Sequence, residues 1–217
     1  MDAWFARPVS IKPAYGTPPV LVTMDWALGF SPVKSKDEEI IREKIRANEA
    51  AKKELRKQLQ KKNLLRAGAL TAFSDLSKAA ADMEDDYVNF RPVGGYVYQY
   101  YSYQGLNDLT AALGRFVLNV AIAGTVESVS NSAQFRVSVK EVGVYIKDSY
   151  DFEGDQFLGY WDDGDNSVST INRFGGDSVT NEDFRNWRGA NGKGGDFRVY
   201  SDVKKYNFGS LPDTFNI

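Results

Sequence analysis

The sequence predicts an α+β protein in which an N-terminal helical segment packs on a mainly antiparallel curled sheet or partial β-barrel. Two patterns predict this class: a charged stretch with helical spacing in the first third, and short alternating strands in the remainder. The 217 residues are 42% hydrophobic, which is enough to fill one substantial core. We expect three parts: an extended arm over residues 1–33, a charged helical region over 34–85, and a β-rich domain over 86–217.

The arm is predicted from its prolines, because five of the seven prolines of the chain lie in residues 1–33. An apolar stretch over residues 19–30 interrupts it. That stretch either fixes the arm to the body of the protein or forms a strand that binds a partner.

The charged region begins with Ser35 and Glu38, which have the spacing of a capping box. The spacing of Ile41, Ile45 and Leu55 predicts a helix to about residue 63, and a second helix is expected from residue 64 to about 83. Residues 34–62 contain 11 basic and 6 acidic side chains. This excess is typical of a solvated helix with one edge on the body, or of a helix over residues 35–63 that contacts a protein partner or an anionic surface.

The remainder alternates in the manner of β-strands. In residues 135–139 the apolar side chains have odd numbers, and in residues 142–146 they have even numbers. A change of parity inside a strand requires a bulge or bend, which we place near Glu141. A short helix closed by Gly114 is also predicted. The strands that we expect lie at residues 96–103, 116–122, 135–146, 157–161 and 197–203.

The absence of two residue types restricts the chemistry. The chain has no cysteine, which excludes disulfides, thiolate catalysis and cysteine-held metals, and it has no histidine, which excludes the usual serine or cysteine triads. A metal would have to be held by oxygen atoms, which favours Mg²⁺ or Ca²⁺, with Mn²⁺ as a further alternative. No motif indicates an organic cofactor.

Seven carboxylates lie within residues 148–165, and they include Asp148, Asp151 and Asp155. Crowded carboxylates raise one another's pKa values or recruit a divalent cation, and Asp148 and Asp151 are our candidate metal ligands. The order of residues does not fit an EF-hand loop. The alternative is that these carboxylates are solvated turn residues.

A second polar segment follows over residues 181–203. Its glycine-rich loop carries Lys193 and could offer backbone amides to an anion, although it lacks the context of a P-loop. Arg185 and Arg188 could form bidentate hydrogen bonds with a phosphate or carboxylate, with Trp187 beside them. They could equally pair with the acidic segment and fasten the two parts together.

Four stretches resemble an uncharacterised proteobacterial family, domain of unknown function 6402. They are DYVNFRPVG at residues 86–94, DLTAALGR at 108–115, VGVYIKDSYDFEGDQFLG at 142–159 and GGDFRVYSDVK at 194–204. The resemblance covers nearly the whole chain. It implies a place beside type VI secretion genes and a role in competition between bacteria.

A local similarity concerns Asp148, Tyr150 and Asp151, which resemble the Asp-x-Tyr-Asp motif of colicin M-type bacteriocins. This resemblance implies hydrolysis of a lipid-linked peptidoglycan precursor with help from a divalent cation. Where that family continues with His-Arg, this chain has Phe157 and Leu158. The general base would therefore have to be another group, such as Asp155.

Two functions follow as expectations. The first is a toxin effector that hydrolyses a lipid-linked envelope precursor, and the second is a non-catalytic adaptor, chaperone or immunity-type protein that binds a secretion-system protein. A net charge of −2 gives no reason to expect nucleic acid. The chain has no stretch typical of a Sec signal or a transmembrane helix. We expect synthesis in the bacterial cytoplasm, with delivery to the periplasm of another cell by a non-Sec route if it is an effector.

Overall fold

The structure, a computed structural model, describes residues 14–15, 22–94, 108–150, 152–155, 157–161, 168–169, 176–209 and 211–217. The chain divides into two compact units. The smaller unit contains Met1–Ala14 and Ser149–Arg198, and the larger unit contains Tyr15–Asp148 and Val199–Ile217. The three-part division at residues 33 and 85 stays a prediction.

The described elements confirm the α+β class, with a few N-terminal helices and a mainly antiparallel, strongly curled sheet. The helices are α1 (Met24–Ala27), α2 (Ser31–Glu43), α3 (Glu49–Lys61), α4 (Asp108–Leu113) and α5 (Asn181–Asn191), with 3-10 turns at Ile45–Ala47 and Ala80–Met83. The strands are β1 (Ala14–Tyr15), β2 (Leu70–Phe73), β3 (Tyr87–Val93), β4 (Phe116–Ser128), β5 (Phe135–Tyr150), β6 (Phe157–Trp161), β7 (Val168–Ser169), β8 (Asp177–Thr180), β9 (Phe197–Tyr200), β10 (Lys204–Asn207) and β11 (Asp213–Asn216).

The main sheet is built around the long antiparallel hairpin of β4 and β5. Its strand order is β1–β9–β5–β4–β2, with β3 also paired to β4 and with β10 and β11 also paired to β5. The hairpin pairs continuously from Val117 with Lys147 to Ser128 with Phe135. Both faces of β4 are buried over most of its length, so this hairpin is the centre of the core.

The predicted bulge is confirmed, one residue before the expected position. Ala123 pairs with Glu141 and Gly124 pairs with Val139, which leaves Lys140 as the extra residue. The bulge restores the alternation that the sequence interrupts, because the apolar residues on both sides of Lys140 then lie on the same face. Gly124 permits the close approach, since a Cβ atom there would lie 2.1 Å from the main-chain oxygen of Ser138.

Helices cover one face of the sheet, and a short irregular segment covers the other. Helices α2 and α3 pack on β3, and α2 also contacts β4. On the opposite face, Leu76 and Met83 form a buried cluster with Ala121, Tyr145 and Tyr200. The chain between α3 and β3 therefore supplies part of the core.

The structure corrects the predicted helices. Helix α2 begins at Ser31, with Pro32 in its first turn, so Ser35 lies inside the helix and caps nothing. Lys44 has a φ of 54°, which separates α2 from α3. The second helix expected over residues 64–83 is wrong, because β2 and a 3-10 turn occupy this segment. Pairing of β2 with β4 outweighs the helix propensity of the alanines in this segment.

Two other expectations about elements have different outcomes. The short helix is confirmed as α4, and Gly114 ends it with a φ of 58°. The tyrosine-rich strand predicted at residues 96–103 lies outside the described residues. In the smaller unit, β6 pairs with β7 and with β8, and α5 follows β8 directly.

Candidate functional site

Helix α5 positions most of the residues predicted to bind a substrate. Thr180 caps its N-terminus, and a reciprocal bond between Thr180 and Asp183 completes a capping box. These hydrogen bonds to Thr180 lower the pKa of the Asp183 carboxyl group. The first turn of α5 is therefore satisfied by the protein's own groups.

Arg185 holds the acidic loop of residues 152–155 by its main chain. Its Nη1 atom donates to the carbonyl oxygen of Phe152 at 2.5 Å and to that of Gly154 at 2.9 Å. Asn181, one turn earlier on α5, donates from Nδ2 to the carbonyl oxygen of Glu153 at 2.7 Å. Three consecutive carbonyl groups of the loop are thus bound by one helix.

The main chain of this loop turns sharply. Phe152 has a φ of 52° and Gly154 a φ of 74°, both in the left-handed region. Such backbone is strained for a phenylalanine, and the contacts from Asn181 and Arg185 stabilise it. The side chains of Glu153 and Asp155 are left exposed to solvent.

Aromatic packing supports the same contact. The ring of Phe152 lies 4.2 Å from that of Phe184, and the Phe184 ring stacks on Trp187 at 5.8 Å between centroids. Gly194 completes this cluster, because a Cβ atom there would lie 3.0 Å from the Phe184 ring. Trp187 itself is 40% exposed, so it presents a firmly held aromatic surface.

The glycine-rich loop lies at the end of α5 that does not favour an anion. Gly192 ends the helix with a φ of 63° and donates its N–H to the carbonyl oxygen of Arg188. Lys193 follows and is exposed. The partial charge at a helix C-terminus is negative, so the expected cradle has no support from the helix dipole. Arg188 is paired with Asp196 at 2.5 Å.

The acidic candidates do not all lie in one described unit. Asp148 is near the end of β5 in the larger unit and is 8% exposed, whereas Asp155 is an exposed loop residue of the smaller unit. Asp151 and the side chain of Tyr150 lie outside the described residues. Within the described ranges, no group of three acidic side chains is arranged to hold a metal ion.

Sequence reasoning missed a polar network in the larger unit. Glu84 accepts from Lys147 Nζ at 2.7 Å and from the hydroxyl of Tyr200 at 2.8 Å. Nearby, the Tyr145 hydroxyl donates to the carbonyl oxygen of Met83 at 3.3 Å, and burial raises its pKa. These contacts fix the 3-10 turn at Ala80–Met83 on the sheet. Glu84 lies in the acidic stretch of residues 82–86, and no local pattern links that stretch to Lys147 or Tyr200.

A second missed pair lies between α2 and β10. Asp37 is 6% exposed, and its Oδ2 atom accepts from the Tyr206 hydroxyl at 2.5 Å. Its Oδ1 atom is buried and has no hydrogen-bond partner in the described part of the chain. Burial raises the pKa of the Asp37 carboxyl group. The spacing of apolar residues that predicts this helix does not indicate that Asp37 is buried.

In α2 and α3, several acidic side chains contact the protein, whereas most basic side chains are exposed. Arg91 of β3 binds Glu39 at 3.2 Å and also pairs with Glu43, so these two acids of α2 contact the sheet. Hydrogen bonds from Lys36 and Arg91 lower the pKa of Glu39. The basic residues of α2 and α3, in contrast, are mostly exposed. The solvent side of this helix pair is therefore more basic than its composition suggests.

A family model matches residues 19–174 and 173–212, which is most of the chain. The protein belongs to the family described as "Family of unknown function (DUF6402)". This confirms the family resemblance inferred from the four sequence stretches. No curated protein and no solved structure matches the chain, and the local similarity to colicin M-type bacteriocins is not shown. Among the described helices, none is sufficiently long and apolar to cross a membrane.

Proposed function

We propose that this protein acts in competition between bacteria, beside a type VI secretion system, as a non-catalytic adaptor, chaperone or immunity-type binding protein. The setting rests on the family resemblance. The binding role is carried by one observation: most of the basic residues of α2 and α3 face solvent, while three of the four acids of α2 contact the body of the larger unit. The surface over residues 35–63 is thus available for a protein partner.

The cations predicted to bind a substrate support this choice. Arg185 donates to two carbonyl groups of the acidic loop, and Arg188 is paired with Asp196. Both guanidinium groups therefore contact oxygen atoms of the protein itself. Trp187, partly exposed and stacked on Phe184, offers a second contact surface, since rigid aromatic side chains are frequent energetic centres of interfaces.

Affinity purification of the full-length tagged protein from its native bacterium tests the proposal. We expect a protein encoded beside the secretion genes to co-purify in a fixed stoichiometry. Purified protein that retains its folded circular dichroism spectrum but captures no such partner, at any salt concentration, would contradict the binding role.

A second candidate function is hydrolysis of a lipid-linked envelope precursor. Asp148 favours it, because this carboxylate is largely withheld from water near a strand end, two residues before Tyr150, as acid–base groups of active sites often are. In this mechanism Asp148 and Asp151 would hold Mg²⁺ or activate water. An effector of this kind acts in the periplasm of another cell.

Incubation of the full-length protein with lipid II and Mg²⁺ tests hydrolysis directly. If the protein is this hydrolase, we expect a phosphorylated product that the Asp148→Asn and Asp151→Asn variants do not form. Folded protein that gives no product, or equal product from the variants, removes this candidate. Toxicity only when the protein is directed to the periplasm would favour hydrolysis over binding.

A further inference from the structure

We infer that the outward face of α3 docks an acidic polypeptide segment, with Lys53 and Arg56 at its centre. The inference rests on the proposed binding function and names the chemical class of the partner. It follows from three features of the larger unit: the contacts made by the acidic side chains of α2, the orientation of α3, and the burial of the leucines of α3.

Three of the four acids of α2 contact side chains of the protein, and the fourth, Glu38, is exposed. Asp37 bonds to Tyr206, and Glu39 and Glu43 bind Arg91. A carboxylate that is paired with a cation adds less to the potential outside than an unpaired one. Within residues 31–61, which are all described, the cations without an ion pair are Lys34, Arg42, Lys44, Lys53 and Arg56.

The orientation of α3 is fixed by its apolar residues. Ala51, Leu55 and Leu59 are 0%, 2% and 1% exposed, so one face of the helix is buried. Lys53 and Arg56 lie three residues apart on the opposite, exposed face. The 13 residues of α3 give this face a length of about 20 Å.

The cations that flank this centre are only weakly engaged. Lys57 lies 3.4 Å from Glu54, and Lys61 lies 3.6 Å from Asp85, with most of each lysine side chain in solvent. Exposed pairs of this kind contribute little and exchange readily for another carboxylate. An incoming acidic segment can therefore recruit Lys57 and Lys61 as well.

An acidic polypeptide fits this face better than a bilayer or a nucleic acid. Binding flat on a membrane requires large apolar side chains beside the cations, and the two leucines of α3, Leu55 and Leu59, are buried in the larger unit. Nucleic acid is disfavoured by the net charge of −2, which repels a long polyanion beyond the helix. Aspartate and glutamate side chains instead match separated cations, and a carboxylate can bind Arg56 through two parallel hydrogen bonds.

The probe for this inference is a fluorescent poly-L-glutamate peptide of about ten residues, long enough when extended to run along α3. We expect the full-length protein to bind it at an ionic strength of about 0.05 M, and to bind more weakly as salt is added. The double variant Lys53→Glu and Arg56→Glu should weaken binding by about tenfold, since two attractive contacts become repulsive.

The matched control is the double variant Lys78→Glu and Lys205→Glu, which changes the net charge equally. Both lysines are exposed, and neither belongs to α2 or α3. We expect less than a twofold effect. An equal loss in the two double variants, no binding to polyglutamate, or tighter binding to phosphatidylglycerol vesicles or duplex DNA would overturn the inference.

The native partner separates this inference from the proposed function. If the wild-type protein captures a partner that the Lys53→Glu and Arg56→Glu variant captures equally well, the acidic docking surface is wrong while the binding function stands. If polyglutamate binds as expected but no native partner is captured, the surface has the stated chemistry and the proposed function fails.

Discussion

Two carboxylates of the larger unit are held by other side chains, whereas the acidic loop of the smaller unit is held by its main chain. Asp37 bonds to Tyr206, and Glu84 to Lys147. In the smaller unit, Asn181 and Arg185 bind carbonyl groups of the acidic loop. A side-chain pair depends on both residue types, but a carbonyl group is present in every residue. The contacts that Asn181 and Arg185 make with the acidic loop therefore do not depend on its carboxylates.

Two glycines, one in each unit, differ in the space around them. Next to the bulge, Gly124 lies against the carbonyl group of Ser138 with no space for a methyl group. Gly189 in α5 has no heavy atom within 4 Å of the place that a Cβ atom would occupy. Substitution by alanine should thus have opposite effects at these two positions.

The largest expected effect is that of Gly124→Ala. The new Cβ atom would lie 2.1 Å from a main-chain oxygen, so β4 and β5 must separate, at a cost of about 3 kcal/mol or more. The free energy of unfolding, measured by urea denaturation and far-ultraviolet circular dichroism, checks this. As the control, Gly189→Ala should stabilise the protein by about 0.5–1 kcal/mol through helix propensity. Equal effects at both positions would contradict the comparison.

An intermediate effect is expected for Arg185→Ala. Loss of the bonds to the carbonyl groups of Phe152 and Gly154 should cost about 1–3 kcal/mol, confined to the loop of residues 152–155. Amide hydrogen exchange measures this opening. The control Asp155→Asn changes an exposed loop carboxylate and should leave exchange unaltered. Faster exchange in Asp155→Asn than in Arg185→Ala would show that side chains, not carbonyl groups, hold the loop.

The smallest effect is a change of pH dependence in Asp37→Asn. Burial raises the native pKa of Asp37 above its ordinary value of 3.8, so the native state keeps a proton that the unfolded chain has lost. The contribution of this carboxyl group to stability is present below pH 3.8 and declines as pH rises through the native pKa. The difference in unfolding free energy between Asp37→Asn and wild type should therefore shift in favour of the variant over this interval. An unchanged difference between pH 3 and pH 7 would refute it.

The main sheet was predictable from local patterns because its strands alternate. The parity change before Val142 required a bulge, and the structure has one at Lys140. The ends of the helices were harder to predict. Pro32 is compatible with the first turn of a helix, so α2 begins before Ser35. Lys44 interrupts the helical backbone with a positive φ, which nothing in the sequence indicates for a lysine.

The candidate site was predictable only as a set of residue types. The charge of Arg185 predicts a possible contact with the acidic segment, but the sequence does not indicate that its guanidinium group binds carbonyl groups rather than carboxylates. Asn181 was missed because an asparagine beside Thr180 looks like part of a helix cap. The pairing of Asp37 with Tyr206 joins positions 169 residues apart, which no local pattern can indicate.

Because Lys140 is an extra residue in the ladder, the alternation of side chains at the tip of the central hairpin is offset by one residue from that in the rest of β5. Phe135, Val137 and Val139 point toward the interior only because one residue of β5 is skipped in the ladder. If Lys140 were deleted, the tip would either keep its hydrogen bonds and turn these side chains outward, or keep them buried and lose pairing. A homologue lacking that residue must therefore have moved its apolar positions by one, and an alignment that opens a gap there would be aligning different faces of the strand.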